Sequence, residues 1–426
     1  MRLISFFVAA AALAAPLAHA DTKLIHAGTV FAVPGQEPLK EQTIVVKDGR
    51  ITEVKAGYVL ASPGERVIDL RDKFVLPGLI DCHVHILGEL NPKSRLQTVE
   101  DEDGYIALRG AAFALRTLRA GFTTVRDLGE RSGAIFDLRR AINEGVIAGP
   151  RLVVAGSTLS PTGGHAQTYG YRDEVNALFA STGTCDGVDD CRRAVRRQTA
   201  RGADVIKLVA TGGVLSNISA GLDQQFSDEE LAAIVKAAHG LGKRVAAHAH
   251  GAGGINAALR AGVDSIEHGS YVNDESISLF RKTGAYLVPT VLAGVTVAEH
   301  AKKSDFLTPP QREKSLKVGP LMLAALGRAY KGGVKIAFGT DTGVSLHGQN
   351  AKEFALMVEA GMPPMEAIKA ATVNAADLLG LSNTIGTIEA GKTADIVAVE
   401  KDPTREIRTL ERMRFVMRGG VVYVNP

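Results

Sequence analysis

Apolar and polar positions alternate in short bursts at both ends of the chain, and a longer rhythm fills the middle. Lys23–Ala27, Thr43–Lys47, Arg50–Val54 and Arg66–Leu70 read as short strands separated by turns. Lys47-Asp48-Gly49-Arg50 is a hairpin turn signal between two of them. The same texture returns in Ala394–Val399, Arg414–Met417 and Arg418–Val424. Two β-rich ends around a different centre predict a small β-sandwich domain built from both termini, residues 21–77 plus 380–426.

From residue 78 to 379 strands alternate with helices. The strand candidates are Leu79–His85, Thr123–Leu128, Arg151–Ala155, Val205–Val209, Val245–His250, Ser265–His268, Tyr286–Val291 and Lys335–Gly339. Between them lie helical patterns such as Asp228–Leu241, with Ser227 as N-cap and three acidic residues in the first turn. Strand–helix alternation over about 300 residues predicts an α/β fold of the (β/α)8 TIM-barrel kind. A doubly wound open sheet is the alternative.

Composition narrows this little but usefully. The 426 residues can bury a large core; 46 are Gly and none is Trp, which suits many tight turns and close-packed elements. A net charge of +3 is small for this length and predicts neither a nucleic-acid nor an acidic-membrane partner. Arg2, the apolar run Leu3–Ala15 and the small-x-small site Ala18-His19-Ala20 read as a signal peptide over 1–20, too short to span a bilayer. A buried N-terminal helix is the alternative. Export, to the periplasm or beyond, leaves a mature chain without a membrane segment. In that oxidising setting Cys185 and Cys191 are candidates for a disulfide, while Cys82 is expected to pack in the core.

Chemistry concentrates at the predicted strand ends. His83 and His85 are two apart in a strand and so point the same way, able to share one divalent ion. Lys207 lies inside an apolar strand, His248 and His250 end the fifth, His268 the sixth, and Asp341 follows the eighth. Each has an ordinary reading alone: a satisfied histidine, a snorkelling lysine, a helix-capping aspartate. Together, at the strand ends where barrel active sites are built, they point to a metal centre.

These residues, with Pro77-Gly78-Leu79-Ile80-Asp81-x-His83-x-His85 and Gly386–Asp395, resemble the amidohydrolase superfamily over essentially the whole mature chain. The resemblance implies two divalent ions, zinc expected. His83, His85 and Asp341 would hold one and His248 and His268 the other, with Lys207 bridging as a CO2-derived carbamate. A bridged water would be acidified from about 15.7 towards 7, with Asp341 shuttling the proton.

Within the superfamily the chain is more similar to the Xaa-Pro dipeptidase-like and ochratoxin-hydrolysing members. Ser160-Pro-Thr-Gly-Gly-His165, Thr211–Ser216 and the second histidine of His248-Ala-His250 carry that likeness. It implies hydrolysis of an amide that releases a C-terminal amino acid, with His165 and His250 polarising the carbonyl or meeting the substrate carboxylate. Tyr169, Ser216, Asn217 and His347 are weaker substrate-contact candidates. Asn217-Ile218-Ser219 departs from the Pro-Thr-Asp type sequence of many prolidase-like members, which leaves proline preference open. A small-molecule amide or dipeptide is the expected partner, and a symmetric homo-oligomer the expected assembly. An imidazolonepropionase-like ring opening and a non-catalytic scaffold remain alternatives; a deaminase is disfavoured by Lys207.

Overall fold

The computed structural model describes residues 22–130, 132–217 and 221–425; the signal-peptide reading, and Ile218 and Ser219, lie outside them. In chain order the first strands are β1 (Thr22–Val30), β2 (Leu39–Lys47), β3 (Arg50–Ala56) and β4 (Arg66–Pro77). The central strands are β5 (Leu79–Val84), β6 (Phe122–Asp127), β7 (Arg151–Val154), β8 (Val205–Val209), β9 (Arg244–Ala249), β10 (Ser265–His268), β11 (Tyr286–Val288) and β12 (Lys335–Ile336). The last are β13 (Ile396–Val399), β14 (Phe415–Arg418) and β15 (Val421–Val424).

The two ends of the chain do meet. They join one seven-stranded sheet in the order β15-β14-β13-β4-β1-β2-β3, with β4 and β13 antiparallel from Phe74↔Val399 to Pro77↔Ile396. This is a single mixed sheet among the described residues, where two packed sheets were expected. It has its own apolar core, in which Ile25, Val46, Leu70, Ile396 and Phe415 are fully buried.

The eight central strands are parallel neighbours in two groups, β5-β6-β7 and β12-β11-β10-β9-β8. Main-chain bonds run between the groups. Leu159 N donates to Lys207 O (2.8 Å), Val209 N to Leu159 O (3.0 Å), and Cys82 N to Phe338 O (2.9 Å). This is the α/β architecture of the TIM-barrel type. Strands such as Val205–Val209 are buried at every position, as parallel strands covered on both faces must be.

Most predicted elements appear within a residue or two. Asp228–Gly240 starts from a reciprocal cap in which Ser227 Oγ accepts from Glu230 N (3.3 Å) and Glu230 Oε2 accepts from Ser227 N (2.8 Å). Two strands end three residues earlier than expected, β12 at Ile336 and β11 at Val288, the latter for a clear reason. Pro289 cannot donate to a ladder and Thr290 takes φ 50°, so β11 stops at Val288 and a helix, Val291–Lys303, begins.

Candidate metal centre and active site

Six of the singled-out residues line one cavity of about 290 Å³ at the strand ends: His83, His85, Lys207, His248, His268 and Asp341; His165 and His250 line it too. Their donor atoms gather in two groups, His83–His85–Asp341 and His248–His250–His268, each with all its atoms within 4.8 Å of one another.

In the first group both imidazoles present Nε2 to the same oxygen, Asp341 Oδ1, at 3.5 Å from His83 and 3.4 Å from His85. Each ring is fixed through its other nitrogen. His83 Nδ1 meets Glu267 Oε2 at 2.8 Å, and His85 Nδ1 meets the Gly129 carbonyl at 2.9 Å. That is the outer-shell support expected of metal-binding histidines. Glu267 is held in turn by Arg126, whose Nη2 donates to Oε1 at 2.9 Å; both side chains are out of water. Asp341 Oδ1 is buried without a hydrogen-bond partner, although it faces two ring nitrogens. A buried carboxylate oxygen left this way fits a cation.

The second group is held likewise. His268 Nδ1 bonds Thr290 Oγ1 (2.7 Å), His250 Nδ1 bonds Ser270 Oγ (2.7 Å), and His248 Nε2 lies 3.2 Å from the Gly212 carbonyl. Among the described residues, three of the five non-glycine residues with positive φ belong to the site as a whole: His268 at 73°, Thr290 at 50° and Asp341 at 54°. Left-handed backbone in such residues costs of order 1–3 kcal/mol each and gathers where a surrounding structure must aim side chains.

Electrostatics tells the same story. Burial, then the Lys207 charge, holds His83 well below the usual imidazole range and His85 at about 4. Burial and neighbouring rings hold His248 and His268 well below it. His165 and His250 fall to about 3. All six are therefore neutral at pH 7, as metal ligands and neutral donors need to be. Lys207 itself is lowered to about 8 by burial, and Asp341 is pushed up to about 7 by burial. Lys207 makes no salt bridge among the described residues; burial works against its charge while the nearby Glu267 and Asp341 carboxylates favour it.

The remaining candidates separate. His165 Nδ1 bonds Ser216 Oγ (2.6 Å), and its ring lies 4.3 Å from that of His248. Ser216, Asn217 and Tyr169 line an adjoining cavity of about 310 Å³ that shares His165 and Leu215 with the first. Tyr169 Oη donates to the Gly164 carbonyl. His347 lies outside the catalytic cavity: its Nε2 bonds the Gly88 carbonyl (2.9 Å) and its ring stacks on Phe113 at 4.7 Å, so it serves packing. Cys185 and Cys191 are joined as a disulfide, and Cys82 is free and buried, its thiol pushed up to about 12 by burial.

Sequence reasoning missed Glu267, Arg126 and the apolar wall. That wall comes from the helices Val291–Lys303 and Pro309–Lys331, through Val297, Val318 and Met322, with Val214, Leu215 and Val344 beside them. Only the placement of Glu267 one residue before His268 hinted at it.

A TIM-barrel-type α/β fold with two neutral-histidine donor groups and a buried carboxylate in one cavity defines a metal-centre hydrolase class. The amidohydrolase family pattern matches residues 74–424, and the chain belongs to that family, a hydrolase acting on amide bonds. It is similar to ochratoxinase from Aspergillus niger, 34% identical over 96% of this chain and 88% of that protein. The crystal structure of a Xaa-Pro dipeptidase with bound methionine in its active site superimposes with a TM-score of 0.89 at 41% identity, over 95% of this chain and 100% of that one. The A. niger ochratoxinase structure gives 0.82 at 32% identity, covering 96% of each chain.

Proposed function

We propose that this protein hydrolyses the amide of a dipeptide or N-acyl amino acid and releases the C-terminal amino acid, ochratoxin A (to ochratoxin alpha plus phenylalanine) being one such substrate. The observation that carries this reading is the shared cavity: polar donors on one side, an apolar wall on the other. The names of the similar proteins, an ochratoxinase and a Xaa-Pro dipeptidase, support it.

In this reading His83, His85 and Asp341 would hold one divalent ion and His248 and His268 a second, and Lys207, carrying a CO2-derived carbamate, would be a ligand shared between them. A carbamate would offer two oxygens sharing one negative charge in place of the ammonium, whose charge burial opposes. The bound ions, zinc in this reading, would acidify a water and polarise the scissile carbonyl. Asp341, aimed by its hydrogen bond from its own N to His83 O (2.8 Å), takes a proton and returns it to the leaving amine nitrogen. His250 and His165 pair through Nδ1 with Ser270 and Ser216; in the tautomer this reading requires, the serine hydroxyls donate and each Nε2–H is free to donate to the substrate carbonyl or carboxylate. Val297, Val318 and Met322 shield the reacting bond from bulk water and receive an apolar group. The bonds between the two strand groups support a closed barrel. The Cys185–Cys191 bond supports an exported protein.

A second reading has one observation behind it. His250 stands with His248 and His268 closely enough to complete a three-nitrogen site for a single ion, without Lys207. Elemental analysis of wild type and Lys207→Ala, with phenylalanine release from N-acyl-phenylalanines and a dipeptide panel, separates the two. The bridged reading expects about two metals per wild-type chain, with metal and activity both lost in the variant. Full metal and activity in Lys207→Ala would sink the bridge. A metal-replete enzyme that cleaves nothing in the panel would sink the amide reading.

A further inference from the structure

His165 stands on the irregular connection after β7, a poor platform for a group that must meet a substrate. A second irregular run, Phe179–Gly187, lies alongside and grips it at successive points. Ser157 Oγ and Thr182 Oγ1 are 2.9 Å apart. Ser160 N donates to Gly183 O (3.2 Å), and Cys185 N donates back to Ser160 O (3.1 Å). Thr162 gives Asp186 two bonds, N to Oδ1 at 3.0 Å and Oγ1 to Oδ2 at 2.6 Å. Gln167 Nε2 reaches Thr184 Oγ1 at 2.8 Å.

This strap is anchored at both ends on one helix, Val188–Ala200. Arg197 and Gln198 donate to the Thr182 carbonyl at 3.0 and 3.2 Å. At the other end the Cys185–Cys191 disulfide ties the strap to the helix's first turn, with both cysteines fully buried. This end is also held where the strap runs into the helix, by the main-chain bond from Cys191 N to Gly187 O (3.0 Å), by Asp186 N to Asp190 Oδ2 (3.2 Å), and by Gly187 N to Glu230 Oε1 (2.6 Å) on the neighbouring helix. Ser181, on the strap itself, lines the catalytic cavity.

We infer that the Cys185–Cys191 bond, with the Asp186–Thr162 pair, is a positioning device for His165: it aims the substrate-facing loop in addition to holding the fold. The inference rests on the reading of His165 as a substrate contact. Its physical basis is that a loop-borne group keeps productive geometry only when its supporting shell is rigid. Displacements of about 1 Å cost up to about a hundredfold in rate. Here His165 keeps two tethers of its own, its N to Gln225 Oε1 (2.9 Å) and its ring to Ser216, so the loss is partial.

The test uses the full chain carrying Cys185→Ser/Cys191→Ser, Thr162→Ala or Thr162→Ser. Metal content, kcat and KM are measured well below each variant's Tm, with amide hydrogen exchange across residues 157–167. The expectation is wild-type metal content and faster exchange in that segment. kcat/KM should be lower by about tenfold in the double cysteine variant and in Thr162→Ala, with recovery in Thr162→Ser, which keeps the hydroxyl. Folded variants with lower Tm but wild-type kcat/KM and wild-type exchange would overturn it, leaving the disulfide a stabiliser only. Should wild type cleave none of the amides, the hydrolytic reading fails by itself, and exchange still decides whether the strap holds the loop.

Discussion

His347 is an imidazole held out of water without a place at the catalytic cavity. Buried against Phe113, it is lowered to about 4 from the usual 6.5, burial being the main cause. A base depressed in the folded state contributes stability that is complete above pH 6.5 and drains away as pH falls towards 4, because the unfolded chain takes the proton first. The full effect is roughly 3 kcal/mol. Denaturant unfolding of His347→Gln between pH 7 and 4 should therefore show a shallower loss than wild type; equal slopes would exclude the assignment. At this scale the strand alternation of His83 and His85, and the single buried Lys207, were legible because their spacing or oddity is local. The Arg126–Glu267 pair was not, since nothing in Ser265-Ile-Glu-His points to a partner 141 positions away. His347 misled for the converse reason: a loop histidine near a site and one stacked behind it look alike in one dimension.

Among elements, the hairpin of Val291–Lys303 and Pro309–Lys331 decides the shape of the cavity. The helices touch at Gly294 and Gly319. A Cβ on Gly319 would stand 2.5 Å from the Gly294 carbonyl oxygen and 2.8 Å from Ala298 Cβ. Glu353 seats the first helix by accepting from Val291 N (2.9 Å) and Leu292 N (2.6 Å), which satisfies otherwise orphaned amides. Gly319→Ala should push the helices apart at a cost of about 1–3 kcal/mol, displacing its neighbours Val318 and Met322. A lowered urea midpoint and a changed KM, with metal content intact, are the expected readings; an unaltered KM would show that the wall does not touch substrate. Pro320, next to this contact, lies inside the second helix. The helix runs through it, carried by packing against its neighbour.

Across the whole molecule, Asp395 binds the terminal sheet to the central strands. Its Oδ2 accepts from Arg151 Nη1 (2.8 Å), its Oδ1 from Gly419 N (2.8 Å), and its carbonyl from Gly78 N (2.8 Å). Asp395→Ala should lower stability by about 2 kcal/mol, the partial exposure of Arg151 moderating the loss. Circular dichroism and residual activity should still melt together, since the terminal sheet and the central strands share these ties. Two separated transitions would refute that coupling. The β-rich texture of both termini made their meeting legible; the order of the seven strands was not, because register depends on partners far apart in the chain.

That sheet also sets a timetable for synthesis. Arg50 Nη1 donates to the Gly391 carbonyl, 341 positions on, and β4 gains its second neighbour only when β13 arrives. A nascent chain leaving the ribosome therefore carries an open strand edge at Phe74–Pro77 for most of its translation, inviting stray pairing. Holding that edge apart until the last strands emerge is the task this topology hands to the cell.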